Sequence, residues 1–432
     1  MKIVAFLPVK GHSQRIENKN LKLLDGKPLF IHTLDKLVNS NFFDEVYLDT
    51  ESEEIIDAAS EIDCKILKRD PSLASNKTNG NKLFENQIAQ VDADIYVQIL
   101  ATSPFILIET IKNAINNITE SNSYDSAVLV SKQKQYTWKN NKPEYNHFDI
   151  PNSIDLEDVI IETMGLYIVK KDVAHKNKRR LGDNPLLIES TPIEAIDVNF
   201  PEDFHLAELI AAGRRELDRK LLANYKINFN SSLLSDILDE LGYKNQVIKG
   251  LSSNLPGTKM LGRAKTLKIA ELKENEDFRG IYKALESYDS IVPGDIIVIQ
   301  NDVPEYAYFG ELNANLSIRE GASGVIINGK TRDSSAVSSL NFPVFSTGTT
   351  CQDVKNRATT ESVNKKIELE GVSISPNALL FADDEGVIVI PEKIESQVLE
   401  EVLKKNLSEK EILLNIAMGK DIDSIIDQFG TF

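Results

Sequence analysis

Three cations follow the first apolar segment of the chain within ten residues. Lys10, Arg15 and Lys19 are interleaved with Gly11 and Ser13. Positive side chains neutralise phosphate oxygens, while glycine and serine let backbone N–H groups approach them. Short Lys/Arg clusters are also common in solvated loops, so composition alone leaves that alternative open. The chemistry that this loop could support is the binding of a polyphosphate.

A second set of residues that could do chemistry lies in the C-terminal half. The apolar run 324–327 is followed by Asn-Gly, and the chain then reaches Arg332 and Asp333. Twenty residues separate Glu311 from Arg332. An arginine can pair with a substrate carboxylate, and an adjacent aspartate can bind a hydrated cation. A surface ion pair is the alternative for these two residues taken alone.

Short apolar runs alternate with amphipathic stretches in the first half, and these elements must position the cationic loop. The predicted strands are Ile3–Leu7, Glu45–Leu48, Ile95–Leu100, Ala127–Val130 and Gly165–Val169. The predicted helices are Leu29–Val38, Glu53–Ala59 and Ile108–Ile118. This alternation predicts an α/β fold with a mostly parallel sheet covered by helices. The loop after the first strand then lies at the carboxyl edge of the sheet, where ligands bind in such folds.

The second half has a different pattern, with β-rich runs punctuated by Gly and Pro. The predicted strands are Ala264–Ile269, Asp295–Ile299, Gly324–Ile327 and Val387–Ile390, and the predicted helices are Ser232–Leu241, Glu392–Lys404 and Glu409–Ala417. Between the halves, Pro201 opens a helix whose apolar pattern is interrupted by the polar stretch 214–219. The sequence therefore predicts two domains, 1–222 and 228–432, with a boundary near residues 222–230.

The composition limits the classes of partner. The 432-residue chain has 66 acidic and 49 basic residues and a formal net charge of -17. This balance argues against nucleic-acid binding and against docking on an anionic membrane. No apolar run approaches the length that spans a bilayer, and Cys64 and Cys351 are predicted to be reduced structural thiols. These features predict a soluble, cytoplasmic protein.

Several motifs lie within about the first 200 residues. Each alone is weak evidence for a family, but their order along the chain makes the whole set specific. They are Pro8-Val9-Lys10-Gly11-His12-Ser13-Gln14-Arg15 with Lys19-Asn20, then Gly26–Leu29, Asp49–Ile55, Leu73-Ala74, Gln98–Phe105, Glu162–Tyr167 and Glu194–Asp203. Together they resemble the acylneuraminate cytidylyltransferase family, which includes the CMP-sialate, CMP-pseudaminate and related CMP-ulosonate synthetases. The resemblance implies a Rossmann-like (GT-A type) nucleotidyltransferase domain.

The resemblance also implies a reaction. In this family the anomeric hydroxyl of a 2-keto-3-deoxy sugar acid attacks the α-phosphorus of CTP and releases pyrophosphate, which requires positioning and charge neutralisation. Lys10, Arg15 and Lys19 would then hold phosphates as catalytic residues, and Asp197 with Asn199 would bind Mg²⁺ or Mn²⁺. The implied nucleotide-binding residues are Pro8, Lys10, Gly11, Ser13, Arg15, Lys19, Asn20, Ala101, Thr102 and Ser103. The implied sugar-binding residues are Gln98, Glu162 and Thr163.

Four positions depart from the family pattern. Lys10 stands where the family usually has Arg, Ala101 replaces a proline, and Asn76 stands where many members have Asp. Asn199 replaces the second acid of the metal pair, and an amide can ligate a metal but carries no charge. These departures concern the sugar and the metal more than the reaction class. Asn199 also motivates an alternative, a regulatory binder with a degenerate transferase half.

Glu311, Arg332 and Asp333 form a Glu-x20-Arg-Asp motif, and supporting segments accompany it. These are Ser235-Asp236 with Leu241-Gly242, Gly262–Thr266, Val292–Asp295, Phe342–Phe345, Ala382–Val387 and the tail from Gly419 to Gly430. From about residue 228 to the end, the set resembles the family of RraA-like proteins and metal-dependent 4-hydroxy-4-methyl-2-oxoglutarate aldolases. This resemblance implies an RraA-like α/β/β swivelling-type domain.

By the same resemblance, Asp333 anchors Mg²⁺ or Mn²⁺ and Glu311 positions the water that moves a proton. Arg332 and backbone groups of the segment Gly310, Leu312 and Asn313 would hold pyruvate or a related 2-keto acid. RraA-like members also bind a ribonuclease, so a catalytically silent oligomerisation or regulatory module is the alternative. Relatives form trimers or hexamers, which implies a homo-oligomer.

Joining the two halves predicts a bifunctional protein. A pyruvate-type aldolase makes or breaks 2-keto-3-deoxy acids, and the N-terminal half would activate such acids with CMP. The C-terminal half would then build, edit or degrade the acid that the first half activates. Tethering would raise the local concentration of the shared acid.

Overall fold

The computed structural model describes residues 1–75, 77–121 and 123–429, without the side chains of Ile425 and Phe429. Asn76 and Gly430, named above, lie outside these residues. The chain forms two compact units, Met1–Ala211 and Ala212–Phe432. The division falls within one helix, Pro201–Lys226, which continues through the polar stretch 214–219. The domain limits 1–222 and 228–432 stay a prediction.

The first unit is built on a seven-stranded sheet. Its strands are β1 (Ile3–Pro8), β2 (Glu45–Thr50), β3 (Lys65–Lys68), β4 (Ile95–Ile99), β5 (Ser126–Gln133), β6 (Val159–Lys170) and β7 (Pro185–Glu189). They lie in the order β7-β5-β6-β4-β1-β2-β3. β1 pairs in parallel with β2 and β4, whereas β6 runs antiparallel to β4 and β5. The carboxyl ends of β1, β2 and β4 therefore meet at one edge of the sheet.

Helices cover both faces of this sheet. They are α1 (Leu29–Asn39), α2 (Glu53–Ala58), α3 (Gly80–Gln90), α4 (Ile108–Glu120), α5 (Lys171–Asn177) and α6 (Pro201–Lys226), with 3-10 turns at Pro71–Ala74 and Ser153–Asp155. Successive side chains of a strand point to opposite faces. In β1, Ala5 and Leu7 pack into one apolar cluster, while Val4 and Phe6 pack into another. A continuous apolar run is expected of a central parallel strand covered on both faces.

The second unit contains a nine-stranded mixed sheet. Its strands are β8 (Val247–Ile248), β9 (Ser252–Ser253), β10 (Met260–Glu271), β11 (Ile296–Asn301), β12 (Gly324–Ile327), β13 (Val344–Ser346), β14 (Ala358–Val363), β15 (Leu379–Asp383) and β16 (Gly386–Ile390). The order is β8-β16-β15-β10-β11-β12-β13-β9, and β14 pairs with β10. β10 pairs in parallel with β11, β11 with β12, and β12 with β13.

The helices of the second unit include the two that flank its motif. They are α7 (Ser231–Glu240), α8 (Glu311–Arg319), α9 (Ser334–Ser339), α10 (Glu395–Ala417) and α11 (Ile422–Phe429), with 3-10 stretches at Phe278–Ser290 and Glu392–Ile394. The prediction of two separate helices at Glu392–Lys404 and Glu409–Ala417 is wrong, because α10 is continuous. No Gly or Pro interrupts it, and Asn406 donates from Nδ2 to the Val402 carbonyl one turn earlier.

The three predicted helices of the first half and most of the predicted strands are confirmed within one or two residues at their ends. Three predicted strands are parts of longer ones: Ala127–Val130 lies in β5, Gly165–Val169 in β6 and Ala264–Ile269 in β10. Among the elements that were missed are the strands β3, β7, β13, β14 and β15 and the helices α3, α5, α8 and α9. In α3 only Phe84, Gln87 and Ile88 are buried, so its apolar pattern is weak. Among the described residues, no helix is long and apolar enough to cross a membrane.

Candidate functional site

The segment after β1 is an irregular loop whose backbone is fixed by its neighbours. The Gly11 N–H donates to Oε1 of Glu51 over 2.8 Å, and Asn20 donates from Nδ2 to the Lys10 carbonyl over 2.8 Å. A Cβ at Gly11 would lie 2.6 Å from Cβ of Ser52. This close approach requires glycine. The loop is therefore held against the residues that follow β2.

A pocket of about 410 Å³ lies beside this loop. Its lining residues are Pro8, Lys10, Ser13, Gln14, Arg15, Lys19, Asn20, Leu100, Ala101 and Thr102. Eight of the ten residues predicted to bind nucleotide are among them. Of the other two, Gly11 contacts Glu51, and Ser103 is buried close to Gly165. Gln14 and Leu100 were missed, although both lie within the motifs used above.

Two of the predicted cations contact the segment that precedes α6. Arg15 donates from Nη2 to Oδ1 of Asn199 over 2.6 Å, and Lys19 donates from Nζ to the Val198 carbonyl over 2.7 Å. Asn199 in turn donates from Nδ2 to Oδ2 of Asp197. The structure thus brings Arg15 and Lys19 together with both residues predicted to bind a metal.

Lys19 is deeply buried, with only 7% of its surface exposed. Burial lowers the pKa of Lys19 to about 8; the charge of Asp197 opposes this effect, while Arg15 and Lys10 reinforce it. Desolvation and neighbouring cations both disfavour the ammonium form. A polyanion bound in the pocket would offset the repulsion of Lys19 by Arg15 and Lys10 and keep the Lys19 ammonium charged. The electrostatics of the site therefore favour an anionic ligand.

Asp197 is the residue of this site that best fits a divalent ion. It is half-buried, and its Oδ1 has no hydrogen-bond partner in the part of the chain that is described. The Asn199 side chain is already engaged through its oxygen with Arg15 and through its nitrogen with Asp197. Within the described residues there is no group of three or more His, Cys, Asp or Glu side chains that could hold a metal. A single carboxylate suits Mg²⁺ when substrate phosphates supply further ligands.

Gln98 belongs to a chain of buried polar side chains. It is 1% exposed and donates from Nε2 to Gln87 over 2.9 Å, and Gln87 donates to Oδ2 of Asp49 over 2.6 Å. Arg69 lies 3.6 Å from Oδ1 of Asp49 and donates to the Val9 carbonyl over 2.9 Å. Burial raises the pKa of Asp49, and the charge of Arg69 and the hydrogen bond from Gln87 oppose that rise. Arg69, which the sequence reasoning missed, thus links this chain to the loop.

Glu162 and Thr163 lie where the pairing of β6 with β5 becomes irregular. The next residue, Met164, has a φ of 60°, and such irregularities redirect side chains at the edges of sheets. Thr163 is buried and donates from Oγ1 to the Leu129 carbonyl over 3.1 Å. Glu162 is exposed and accepts a hydrogen bond from the Tyr167 hydroxyl. The side chain of Glu162 is therefore accessible to a ligand, whereas that of Thr163 serves the backbone.

In the second unit, the chain after β12 carries Arg332 and Asp333 to the start of α9. Arg332 places Nη1 2.6 Å from Oδ2 of Asp353 and Nε 3.5 Å from Oδ2 of Asp333. The Glu311 N–H, at the start of α8, donates to the same Asp333 oxygen over 3.3 Å. Asp333 has a φ of 54°, a conformation that aspartate tolerates. The structure thus brings the three residues of the Glu-x20-Arg-Asp motif together.

The segment that leads into α8 approaches this motif closely at Gly310. A Cβ there would lie 2.7 Å from Oδ2 of Asp333 and 3.0 Å from Cγ of Arg332. Of the neighbouring predicted residues, Leu312 is 76% exposed, and Asn313 donates from Nδ2 to the Tyr308 carbonyl over 2.7 Å. Close packing against Gly310 therefore sets the positions of Arg332 and Asp333.

Asp353 is the ion-pair partner of Arg332 that sequence reasoning missed. It belongs to none of the matched segments, and it meets Arg332 because the backbones of Ala307 and Asp353 form a parallel bridge. Asp333 supplies a single exposed carboxylate, which fits a hydrated Mg²⁺ or Mn²⁺ held partly through water.

A pocket of about 350 Å³ adjoins Arg332. Its lining residues are Ser252, Ser253, Asn254, Phe309, Thr331, Arg332, Ser334, Ser335, Val337, Ser338, Val344, Ser346, Gly348 and Thr349. Eight of these fourteen carry a hydroxyl group, which can both donate and accept hydrogen bonds. The lining suits a ligand that is itself rich in hydroxyl groups.

Two family models match the chain in separate segments. The Cytidylyltransferase model matches residues 4–149, and the RraA-like model, described as Aldolase/RraA, matches residues 231–389. The first match includes the cationic loop and the residues 100–102 of the first pocket. The second includes Glu311, Arg332, Asp333 and Asp353.

Similar proteins are found for each part of the chain. A Halalkalibacterium halodurans protein, provisionally named a 4-hydroxy-4-methyl-2-oxoglutarate aldolase, is 31% identical over 42% of this chain and 81% of its own length. N-acylneuraminate cytidylyltransferase A of Danio rerio is 24% identical over 76% of this chain and 82% of its own length. Protein DlpA of Legionella pneumophila is 30% identical over 47% of this chain. The match covers only 33% of the length of DlpA.

The matches agree with the geometry of both sites. The cationic pocket lies in the segment that resembles cytidylyltransferases, and the Glu-x20-Arg-Asp site lies in the segment that resembles aldolases. The chain therefore belongs to the Aldolase/RraA family through its C-terminal part, and its N-terminal part matches the Cytidylyltransferase model.

Proposed function

We propose that the first unit transfers CMP from CTP to a 2-keto-3-deoxy sugar acid and releases pyrophosphate. The observation that carries this proposal is the pocket in which Lys10, Arg15 and Lys19 converge beside Asp197. Phosphoryl and nucleotidyl transfer depend on positioning and on neutralising phosphate charge. A buried lysine and an arginine fixed by hydrogen bonds provide both.

The chain's own residues would divide this work between them. Lys19 is fixed at the Val198 carbonyl and Arg15 at Asn199, so both cations are oriented before the nucleotide arrives. Backbone N–H groups around Ser13 would approach the phosphates. A divalent ion held by Asp197 would, when bound, lower the negative charge that repels the attacking hydroxyl.

Pyrophosphate release from CTP and Mg²⁺ tests this activity with a panel of sialic, pseudaminic, legionaminic and 3-deoxy-manno-octulosonic acids. Turnover of one acid is expected. Asp197→Asn should lower that turnover by roughly 100-fold or more, since it removes the metal-binding charge. The matched control is Glu202→Gln, which removes an exposed acid from the first turn of α6. No turnover with any acid would support the degenerate regulatory binder instead.

We further propose that the second unit is a pyruvate-type lyase rather than a silent module. The observation that favours activity is the hydroxyl-lined pocket next to Arg332, because a purely structural module has no need for such a lining. Arg332 would hold the carboxylate of a 2-keto acid, and Glu311 would position a water for proton transfer. An Asp333-bound divalent ion would supply stabilisation of the enolate.

Release of pyruvate from 2-keto-3-deoxy sugar acids tests the lyase. Arg332→Ala should abolish it, whereas Arg319→Ala, which removes an exposed arginine paired with Glu320, should not. Equal behaviour of the two variants in every activity would favour an oligomerisation or regulatory module. The coupled hypothesis is tested by mixing the protein with pyruvate, an aldehyde, CTP and Mg²⁺. Consumption of CTP without consumption of pyruvate would contradict the coupling.

A further inference from the structure

Arg180 follows α5 in the first unit and lies over an aromatic ring of the sheet. Its guanidinium carbon is 3.8 Å from the ring centroid of Tyr167, which is almost fully buried. The backbone N–H of Arg180 donates to Oδ1 of Asn81 over 3.2 Å. The side chain is half-buried. Stacking and the backbone contact therefore fix Arg180 in one place against β6.

The neighbours of Arg180 in sequence have acidic partners, whereas Arg180 forms no ion pair with any of the described residues. Lys178 pairs with Glu85 at 2.8 Å, and Arg179 pairs with Asp183 at 2.9 Å. In the part of the chain that is described, no carboxylate lies within the 4.0 Å of an ion pair from the Arg180 guanidinium. A guanidinium that is held by stacking and forms no ion pair keeps its paired N–H groups available for an anionic ligand.

The other face of the Arg180 guanidinium meets the first residue of α3. A Cβ at Gly80 would lie 2.4 Å from Nη1 of Arg180. The first turn of α3 carries no acidic residue, so the cation lies next to the positive end of a helix. Two positive centres are thus adjacent, and the Glu162 carboxylate is linked to them through the Tyr167 hydroxyl rather than by an ion pair with Arg180. An anionic ligand at these two centres would reduce their repulsion.

Acceptor groups for hydrogen bonds surround the ring on which Arg180 stacks. Tyr167 is paired directly with Gln98 across β6 and β4, so both side chains lie on one face of the sheet. Gln98 is 1% exposed, yet its Oε1 has no hydrogen-bond partner among the described residues. The Tyr167 hydroxyl donates to the exposed carboxylate of Glu162. Arg180, Gln98 and Glu162 therefore form one cluster around Tyr167.

This cluster is continuous with the nucleotide pocket along the backbone. Gln98 lies two residues before Leu100, which lines that pocket. The Leu100 N–H donates to the Gly165 carbonyl over 2.9 Å, and Gly165 lies between Glu162 and Tyr167 in β6. The carboxylate of a 2-keto-3-deoxy acid is attached to the same carbon as the reactive hydroxyl, so an acid that reacts at this edge of the pocket would present its carboxylate towards this cluster.

We propose that Arg180 binds the carboxylate of the acceptor acid, while Glu162 and Gln98 accept hydrogen bonds from its hydroxyl or amide groups. The assignment rests on the proposed transferase activity and makes Arg180 a residue that selects acids over neutral sugars. A planar guanidinium presents paired N–H groups that match a carboxylate. The negative Glu162 selects ligand groups that donate hydrogen bonds at the other end of the cluster.

The experiment compares the acid that turns over best in the panel with its methyl ester, which lacks the negative charge. Steady-state kinetics are measured for the unmodified protein, Arg180→Gln, Arg180→Lys and the control Arg179→Gln. Arg180→Gln should raise the KM for the acid roughly 10- to 100-fold, the range for losing a hydrogen bond to a charged group. The KM for CTP should stay within about twofold, and the preference for the acid over the ester should largely disappear. Arg180→Lys should recover part of that preference.

Gly80→Ala provides a second variant that keeps the charge. The added methyl group would push the Arg180 guanidinium away from its place, while alanine favours the helix. A raised KM for the acid at an unchanged melting temperature is expected. If Arg180→Gln and Gly80→Ala both retain the KM and the preference for the acid, the Arg180 assignment is overturned and the transferase stands. If the unmodified protein turns over no acid, both are overturned.

Discussion

Arg15 donates a hydrogen bond of 2.6 Å from Nη2 to Oδ1 of Asn199, although 184 residues separate the two in sequence. The same Asn199 side chain donates from Nδ2 to Asp197. The amide thus connects Arg15, which we propose binds phosphate, to the carboxylate that fits a metal. A carboxylate at position 199 could not donate to Asp197, so the departure from the family pattern creates a bridge.

Asn199→Asp is expected to strengthen Mg²⁺ binding and to destabilise the metal-free protein. A second carboxylate beside Asp197 adds negative charge for the cation and repels Asp197 when no cation is present. At fixed CTP, the Mg²⁺ concentration that gives half-maximal pyrophosphate release should fall about tenfold, equivalent to about 1.4 kcal/mol. Asn199→Ala is the control, since it removes the bridge without adding charge. An unchanged Mg²⁺ requirement in the aspartate variant would contradict this account.

CTP affinity is expected to decrease above pH 8, in the range where Lys19 loses its proton. Burial lowers the pKa of Lys19 to about 8, so the cation is present in the unliganded protein below that pH and is lost above it. If bound CTP requires the charged form, affinity should fall by up to roughly tenfold for each pH unit above 8. Equilibrium dialysis between pH 6.5 and 9.5 measures this. Lys19→Met should bind weakly with little pH dependence, whereas the exposed Lys22→Met should behave like the unmodified protein.

The loss of the Lys19 proton is expected to affect the free energy of unfolding in the opposite direction from CTP affinity. The folded-state pKa of Lys19 lies below its ordinary value of 10.5, so the unfolded state binds more protons between pH 8 and 10.5. The contribution of Lys19 to the free energy of unfolding therefore rises with pH in that window. Comparing urea midpoints of the unmodified protein and Lys19→Met across the window isolates this contribution. A difference that stays constant with pH would show that Lys19 titrates elsewhere.

The elements and the loop at the first site were predictable because they depend on local patterns. The apolar run of β1 ends at Pro8, and the cationic motif follows at once, so the position of Lys10, Arg15 and Lys19 followed from strand and loop alone. The motif order also placed Asp197 in the same site. Gln98, in contrast, lies in a matched motif but is buried in a polar chain, which no linear pattern distinguishes from an exposed position.

Three residues that the structure adds could not be found in this way. Each of them contacts a partner that is distant in sequence or on another element. Arg69 contacts the Val9 carbonyl, Asp353 contacts Arg332, and Arg180 contacts Tyr167. A lone charged residue in a sequence is usually a solvated surface group. Its role becomes visible only when tertiary packing shows what it contacts.

Arg69→Met is expected to destabilise the first unit strongly. Arg69 is 4% exposed and is the cation beside Asp49, which is fully buried, and it also holds Glu51 and the Val9 carbonyl. Removing one partner of a buried ion pair costs about 3–5 kcal/mol, because the other charge is left uncompensated. Chemical denaturation followed by near-ultraviolet circular dichroism should show the unfolding of the first unit at a lower denaturant concentration than in the unmodified protein. Adding Asp49→Asn should recover part of the loss; a double variant no more stable than Arg69→Met would contradict the cause given.

Gly310→Ala is expected to impair the second site with little effect on stability. A methyl group at Gly310 would lie 2.7 Å from Oδ2 of Asp333 and 3.0 Å from Cγ of Arg332, so both side chains must move. The backbone of Gly310 has a φ of -156°, which alanine adopts without strain. The change therefore separates the placement of the two side chains from the folding of the unit.

Two measurements follow this displacement in the Gly310→Ala variant. Mn²⁺ binding, observed by electron paramagnetic resonance, should weaken because the proposed Asp333 ligand is moved, and pyruvate release should fall by about tenfold or more. The control is Gly386→Ala in β16, where the nearest atom to an added Cβ is Cγ1 of Val247 at an ordinary 3.7 Å. That variant should keep both properties. Unchanged Mn²⁺ binding and pyruvate release in Gly310→Ala would mean that neither Arg332 nor Asp333 acts from the position seen here, and the silent module would then be the better description of this unit.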